Sequence, residues 1–225
     1  VAAPMEMELR IADLLNKKNT NWSGNDFELC DNITSGFMMG ICASHQAELD
    51  LQERKTRVEQ LTASWGKAEK QAFENLRQAA DGYFDLRAGN ELDQSGTGRV
   101  AFYIAEKESL NNKFIEMIES LEKSTFPTHT ASQFKQADKK LNSVYKRIHK
   151  IQNFSEHFGT ITQQGIRQTQ RAWILYRDAW VEFCRVKYRT VTDESIMAYL
   201  TQRRTEMLAE FLDLSLIHIS EPTRL

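Results

Sequence analysis

Apolar residues recur along this chain at alternating steps of three and four, which is the period of an amphipathic α-helix. The second half shows this most clearly, with three successive seams: Phe134, Ala137, Leu141, Val144, Ile148 and Ile151; Ile166, Thr169, Trp173, Tyr176, Trp180 and Phe183; and Ile196, Leu200, Met207 and Phe211. The pattern predicts three consecutive helices. We expect a turn at 153–159 between the first two, and a helix cap within 190–193 before the third.

The first half follows the same plan less regularly. Its seams are Ala47, Leu51, Val58, Leu61 and Trp65; Ala72, Leu76, Ala79, Tyr83 and Leu86; and Val100, Tyr103, Leu110, Phe114, Met117 and Leu121. Gly66 separates the first seam from the second, and the Gly-rich stretch 89–98 predicts a loop before the third. The two halves align with a period near 90 residues. Such a period predicts a duplicated three-helix unit.

The predicted fold is all-α, with two tandem three-helix up-down units and an extra N-terminal helix. Four segments are expected: 1–27 as N-terminal helix and linker, 28–124 as a divergent first repeat, 128–213 as the second repeat, and 214–225 as an artefact. Pro127 ends the helix before the join. The last segment resembles the conceptual translation of a transposase sequencing adapter, which predicts a native sequence that stops near Asp213. Val1-Ala2-Ala3 fits either a signal-peptide remnant or a gene fragment.

Charge is distributed unevenly although the net charge of the whole chain is only −2. Residues 1–127 carry 14 Lys and Arg against 21 Asp and Glu, which gives −7, and residues 128–225 carry 15 against 10, which gives +5. The two halves can be ordinary solvated surfaces, or the first can present an acidic face to a cationic partner. The basic half lacks the glycine-aromatic alternation of RNA-binding modules, so no nucleic-acid partner is expected. No apolar run reaches the roughly 20 residues of a membrane span.

The chain has three cysteines, Cys30, Cys42 and Cys184. Cys30 and Cys42 flank a segment that can turn back on itself, so a disulfide between them is feasible and would indicate an oxidising compartment. The alternative is two buried thiols in a reducing compartment. With the disulfide formed, Cys184 is left as a free, buried thiol.

Signatures of enzyme chemistry are missing from the sequence. It contains no His-Glu-x-x-His, no Cys-x-x-Cys and no Gly-x-Ser-x-Gly, and its histidines are scattered. We therefore expect a protein that is not an enzyme and that needs no cofactor and no metal ion.

Polar residues follow the edges of two seams in the second half. Gln170 and Arg177 lie seven residues apart beside the Trp173 seam, and Asp138 and Asn142 lie beside the preceding one. If the two helices are antiparallel neighbours, these side chains can pair, which would compensate the cost of a partly buried arginine. One interpretation is a hydrogen-bonded network that fixes helix register. The other is a binding groove lined by Trp and Arg.

The pattern Ala-Asp-x-x-Leu-Asn followed by Gln-Arg-Ala-Trp-x-x-x-Arg-Asp-Ala resembles the lysozyme inhibitor LprI-like family, small helical domains of bacterial envelope proteins. The matching positions are Asp138, Leu141, Asn142, Gln170, Trp173, Arg177 and Asp178, with Leu200, Arg203 and Arg204 similar to the third helix. Of these, the resemblance suggests Asp138, Asn142, Gln170, Trp173, Arg177 and Asp178 as candidate binding residues. The first half departs from the pattern, since Tyr83 replaces the Trp and Ala88 replaces the Asp.

The resemblance implies a periplasmic or secreted location, and inhibition of lysozyme in at least one branch of the family. The leading hypothesis is therefore a non-enzymatic helical protein that binds another protein, with a lysozyme-type muramidase as one target. The alternative hypothesis is a scaffold or immunity-type protein that binds another envelope or effector protein.

Overall fold

The structure is a computed structural model that describes residues 35–219 without a break, and before them residues 8–9, 11–13, 15–16, 30 and 33, with side chains described up to residue 213. The described chain is all-α and contains no strand, as the seams predict. Its named helices are α1 (Gly36–Thr62), α2 (Lys67–Asn90), α3 (Arg99–Glu122), α4 (Ala131–Ile148), α5 (Phe154–Phe158), α6 (Gln163–Lys187) and α7 (Asp193–Ile219).

Helix starts coincide with capping side chains. The hydroxyl of Thr130 accepts the amide of Gln133, whose side chain in turn accepts the amide of Thr130, so α4 begins with a capping box. Thr162 caps α6 in a simpler way, by accepting the amide of Gly165. Thr192 accepts the amide of Ser195 at the start of α7, which confirms the cap expected within 190–193.

Helix pairing follows the same scheme in both halves. In the first half α1 and α2 each pack on α3, and in the second half α4 and α6 each pack on α7. The second helices of the two halves, α2 and α6, then pack extensively on each other. The two halves therefore lie side by side and join through their middle helices.

A single hydrophobic core runs through this junction. The ring of Tyr83 on α2 stacks on that of Tyr176 on α6, with centroids 5.2 Å apart, and Phe114 on α3 lies 5.2 Å from Trp180. Aromatic pairs of this kind stabilise a fold by more than the burial of their surface area alone. The boundary expected near residues 124–128 is an interhelical connection, and the core extends across it.

The turn expected at 153–159 contains a short helix, α5, and this corrects the expectation of a plain turn. Phe154 and Phe158 are four residues apart, so a helical turn places both rings on one side, where they are buried with centroids 4.3 Å apart. Asn153 and Gly159 flank it with positive φ angles of 50° and 58°, which reverse the chain at each end.

The first half buries its apolar seams only in part. Leu51 on α1 is 42% exposed and Val100 at the start of α3 is also exposed. The reason is that α1 packs mainly on α3 and stands apart from α2. The space left between α1 and α2 is an open groove of about 500 Å³.

The Cys30–Cys42 disulfide is formed, with Cα atoms 5.7 Å apart, and Cys184 is a free buried cysteine. Helix α7 continues past Asp213 to Ile219, and residues 220–225 lie outside the described part. Among the helices of the described part, none combines the length and hydropathy that crossing a membrane requires.

Candidate functional site

Helix α6 carries the richest set of candidate residues, and it buries its predicted seam along nearly the whole length. Trp173, Tyr176 and Trp180 are all buried against the common core. Thr169, on the same seam, is buried as well and donates its hydroxyl to the carbonyl of Leu86, 3.1 Å away on α2. This seam is the surface through which α6 meets the first half of the chain.

The candidate residues of α6 divide between its two sides. Gln170 and Trp173 point into the protein, whereas Arg177 and Asp178 form an ion pair at the surface, with Nη2 2.6 Å from Oδ1. The guanidinium of Arg177 also lies over the Trp173 ring, 5.4 Å from its centroid. Arg177 therefore covers the outer side of a buried tryptophan through a cation–π contact.

Asp138 and Asn142 do not meet Gln170 or Arg177, so the pairing expected between α4 and α6 is wrong. Asn142 instead donates to the carbonyl and carboxylate of Asp138 within α4, at 2.9 and 3.0 Å. The physical reason is the order of the helices, because α4 packs on α7 rather than along α6.

Gln170 belongs to a different network, one that reaches into the first half. Its side-chain carbonyl accepts Nε of Arg204, at 2.9 Å, from α7. The two terminal nitrogens of Arg204 donate to the two carboxylate oxygens of Glu91, at 2.7 and 2.6 Å. This bidentate pair is fully buried on both sides, and it lies just beyond the end of α2.

A second arginine completes the network. Nη1 of Arg87 donates to the carbonyl and carboxylate of Glu91, both at 3.2 Å, and its Nε forms an ion pair with Glu106 at 3.0 Å. Glu91 is therefore shared by two arginines, one from each half of the chain. Glu106 supplies a further negative charge, so the buried cluster is electrically balanced.

The charged state of Arg204 is strongly favoured despite complete burial. Burial opposes the charge, but the facing carboxylate of Glu91 outweighs it and raises the pKa of Arg204. The ring of Tyr83 lies beneath the guanidinium, 5.8 Å away, and its own pKa is raised by burial. These groups hold α2, α6 and α7 in one register, which favours the structural interpretation of Gln170.

Glu91 was not identified from the sequence as a member of this network. Glu91 lies at the edge of the Gly-rich stretch 89–98 and was interpreted only as part of a loop. A buried arginine on the third helix demands an acidic partner, and that requirement for Arg204 was the available signal.

The outward side of α6 carries exposed apolar and charged side chains. Leu175 is 67% exposed and Ile174 is partly exposed beside it, with Arg171 and Asp178 one turn away on either side. We refer to Arg171, Ile174, Leu175 and Asp178 as the outer α6 face.

Comparison with known proteins assigns the second half to a family. Residues 128–208 match the family described as Lysozyme inhibitor LprI. This segment is an LprI domain. The match spans α4, α5, α6 and most of α7, and a second LprI domain in the first half is not shown. No curated protein and no solved structure matches the chain.

The LprI domain contains both the outer α6 face and the buried Arg204, but not the acidic partner of that arginine. Glu91 lies outside residues 128–208. The charge at the centre of the LprI domain is therefore neutralised by the first half of the chain. The two halves depend on each other through one ion pair as well as through the aromatic core.

Proposed function

We propose that this protein is a non-enzymatic, secreted or periplasmic binding protein that inhibits a lysozyme-type muramidase. The observation that carries the proposal is the LprI match over residues 128–208. The family is an inhibitor family and is not known to be enzymatic. The chemistry of Cys184 agrees with this role, because burial raises the pKa of its thiol to about 12 and leaves it a poor nucleophile.

The acidic first half supports a cationic target. Residues 1–127 carry a net charge of −7, and lysozymes are often cationic. Such complementarity accelerates encounter more than it strengthens the final complex. Inhibition should therefore set in more slowly at high salt while the affinity at equilibrium changes less.

An oxidising location is supported by the Cys30–Cys42 disulfide. Disulfides persist in the periplasm and outside the cell, where lysozymes act on peptidoglycan. The LprI match points to the same compartment.

We propose the outer α6 face as the contact surface within the LprI domain. Leu175 is more exposed than the other large apolar residues in the described part of the chain, and it forms no part of the core. Burying the Leu175 side chain against a partner would remove its apolar surface from water, which would favour the complex.

The direct test is to titrate the purified, oxidised protein against lysozyme and follow the clearing of a cell-wall suspension. The proposal expects inhibition that saturates at a defined molar ratio. It fails if no lysozyme of any type is inhibited at large molar excess.

The contact surface is tested by Leu175→Asp, which we expect to weaken inhibition about tenfold or more, as for a central interface residue. The matched control is Leu49→Asp on α1, where an exposed leucine of similar accessibility lies outside the LprI domain. Equal effects of the two changes would argue against the outer α6 face. Capture of a different envelope protein, without effect on lysozyme, would favour a scaffold or immunity-type role instead.

We also propose that the first half is a diverged second copy of the LprI unit. The support is the shared pairing of first and second helices with the third, and a repeated ring–cation contact. Lys107 lies 5.6 Å from the Tyr103 ring on α3, and Arg203 lies 5.3 Å from the Tyr199 ring on α7. A relative whose first half matches the LprI family would support this origin, and one with a different helix order there would contradict it.

A further inference from the structure

The outward side of α4 carries a line of lysines. Lys135, Lys139 and Lys146 fall within about 40° of arc at about 100° per residue, and Lys150 follows in the turn directly after the helix. All four side chains are exposed. We refer to them as the α4 lysine stripe. The opposite side of α4 packs on α7 and holds the buried residues of the helix: Ala137, Leu141, Val144 and Ile148.

Helix α4 and the turn after it contain the whole positive excess of the second half. Residues 131–150 include six basic side chains, the stripe together with Lys140 and Arg147, against one acidic side chain, Asp138. Residues 128–225 carry 15 basic and 10 acidic side chains in all, so the rest of this half has nine of each. The positive charge is therefore concentrated on one helix.

None of these six cations has an ion-pair partner among the residues that the structure describes. Elsewhere in the same half exposed arginines are paired, as Arg185 is with Asp193. The one acidic side chain of α4 does not neutralise the stripe, because the carboxylate of Asp138 accepts the side-chain amide of Asn142 at 3.0 Å. The stripe is an unneutralised row of charge on the surface.

The fold explains only part of this arrangement. The helix dipole favours cations near the C-terminal end of α4, which accounts for Lys146 and Lys150. Lys135 and Lys139 lie in the first half of the helix, where the dipole gives no such benefit. They are also four positions apart, a spacing at which like charges destabilise a helix. A row of like charges that weakens its own helix points to a use outside the fold.

The stripe suits a flat anionic surface better than a protein partner. It extends about 22 Å along α4 at 1.5 Å per residue. The residues between its lysines on the outward side are polar, whereas protein interfaces have an apolar core and are depleted in lysine. Lysine also lacks the planar fork with which arginine binds carboxylates and phosphates in a fixed geometry. Clusters of four to eight cations on an amphipathic helix are typical of binding to anionic lipids.

We propose that α4 lies flat on an anionic phospholipid surface, with the lysine stripe against the headgroup phosphates. Lys140 and Arg147 are exposed at one edge of the stripe and add to the attraction. A cationic lysozyme is repelled by the same stripe, so the lipid surface and the proposed target use different faces of the protein. The inference does not rest on lysozyme as the target.

The test is co-sedimentation of the full-length, oxidised protein with sucrose-loaded vesicles. We expect binding to vesicles made of equal parts phosphatidylcholine and phosphatidylglycerol, and none to vesicles of phosphatidylcholine alone. At about 1 M salt, where the Debye length is about 3 Å, the binding should disappear. Equal binding to the neutral vesicles, or no binding to the anionic ones, overturns the proposal.

A stripe variant assigns the binding to α4. It combines Lys135→Gln, Lys139→Gln, Lys146→Gln and Lys150→Gln. We expect its partition onto anionic vesicles to be weaker by about thirtyfold or more, since each lysine near such a surface contributes about fivefold. The corresponding change of all four lysines to arginine keeps the charge and should keep the binding. Loss of binding in the arginine variant would show that charge is not the cause, and would overturn the proposal.

The matched control removes four exposed lysines of the first half and so changes the net charge equally: Lys55→Gln, Lys67→Gln, Lys70→Gln and Lys113→Gln. This control should bind nearly as well as the natural protein. Equal losses in the control and the stripe variant would mean that net charge alone decides, which overturns a site on α4. Capture by soluble polyphosphate that depends on the stripe, without binding to vesicles, would assign the stripe to an anionic polymer and overturn the lipid surface.

Discussion

Arg204 and Glu91 form a bidentate ion pair to which water has no access, and they are 113 positions apart in the chain. Arg204 lies in the LprI domain and Glu91 lies outside it. The pair therefore fixes the position of α7 relative to the end of α2. Its formation requires that both halves of the chain be folded against each other.

Replacing one member of the pair should show how much the pair contributes to the free energy of unfolding. Glu91→Ala leaves two buried arginines facing each other without the shared carboxylate, and we expect a loss of about 3–5 kcal/mol in the free energy of unfolding. The measurement is urea denaturation followed by circular dichroism. The double change Glu91→Leu with Arg204→Met should recover a large part of the loss, because it leaves no unpaired charge on Arg204.

The control for this experiment is Arg185→Ala. Arg185 pairs with Asp193 at the surface, with Nη2 2.5 Å from Oδ2, and an exposed pair contributes about 1 kcal/mol or less. If Glu91→Ala destabilises the protein no more than this control, the buried pair does not have the role assigned to it.

Most of the fold followed from the spacing of apolar residues, because a 3-4 seam specifies both a helix and its buried side. The exceptions were positions where tertiary packing decides. Leu51 continues the seam of α1 but remains exposed, because α2 is not close enough to cover it. The aromatic spacing of Phe154 and Phe158 was present in the sequence, yet a segment of five residues is too short for periodicity to identify as a helix.

The candidate site was less predictable because its pairs join elements distant in sequence. Gln170 was selected as a candidate residue, and its partner is Arg204 on α7 rather than a residue of α4. Sequence neighbours suggested α4 and α6 as spatial neighbours, whereas each packs on α7. The partner of a buried charge depends on helix order, and spacing within one helix carries no information about that order.

Asp93 links the loops on either side of the junction and should respond to acid. Its carboxylate accepts the hydroxyl and amide of Ser95 and those of Thr160, and these hydrogen bonds lower the pKa of Asp93. A lowered pKa stabilises the folded protein above the ordinary value of about 3.9, and this contribution is lost as the pH falls through the lowered folded value.

We therefore expect Asp93→Asn to lose less stability than the natural protein between about pH 5 and pH 2, because it has no carboxylate to protonate. Urea midpoints across that range measure the difference. Glu74→Gln, which removes an exposed carboxylate on α2, serves as the control. Identical pH profiles for Asp93→Asn and the natural protein would show that the linkage at Asp93 is absent.

The disulfide should contribute a few kcal/mol without determining the fold. Cys30 and Cys42 are separated by 12 positions, and closing so short a ring in the unfolded chain corresponds to about 3 kcal/mol. The joint replacement Cys30→Ser with Cys42→Ser should lower the free energy of unfolding by about that amount. Circular dichroism should still report a helical protein, since most of the common core lies in α2, α3 and the LprI domain. Loss of the helical spectrum would assign the disulfide a larger role.

Cys184 should be chemically silent in the folded state. Burial raises the pKa of its thiol to about 12, and the thiolate is the reactive form. Iodoacetamide at neutral pH should therefore leave the mass of the native protein unchanged, and should add one group after unfolding in urea without reductant. Modification of the native protein at a rate close to that of the unfolded chain would contradict this placement.

The last prediction concerns whether residues 128–213, the predicted second repeat, fold without the first half of the chain. Its helix α6 buries Tyr176 against Tyr83, and Phe183 lies 5.6 Å from Trp65, so separation from the first half would expose one side of the aromatic core. It would also leave Arg204 without Glu91, at a cost of several kcal/mol that a unit of this size can rarely absorb. We expect the isolated segment 128–213 to lack a cooperative thermal transition, and to regain one when residues 35–127 are supplied as a separate chain. A sharp transition in the isolated segment, with full inhibition of lysozyme, would instead establish the LprI domain as an autonomous unit and make the buried ion pair dispensable for its fold.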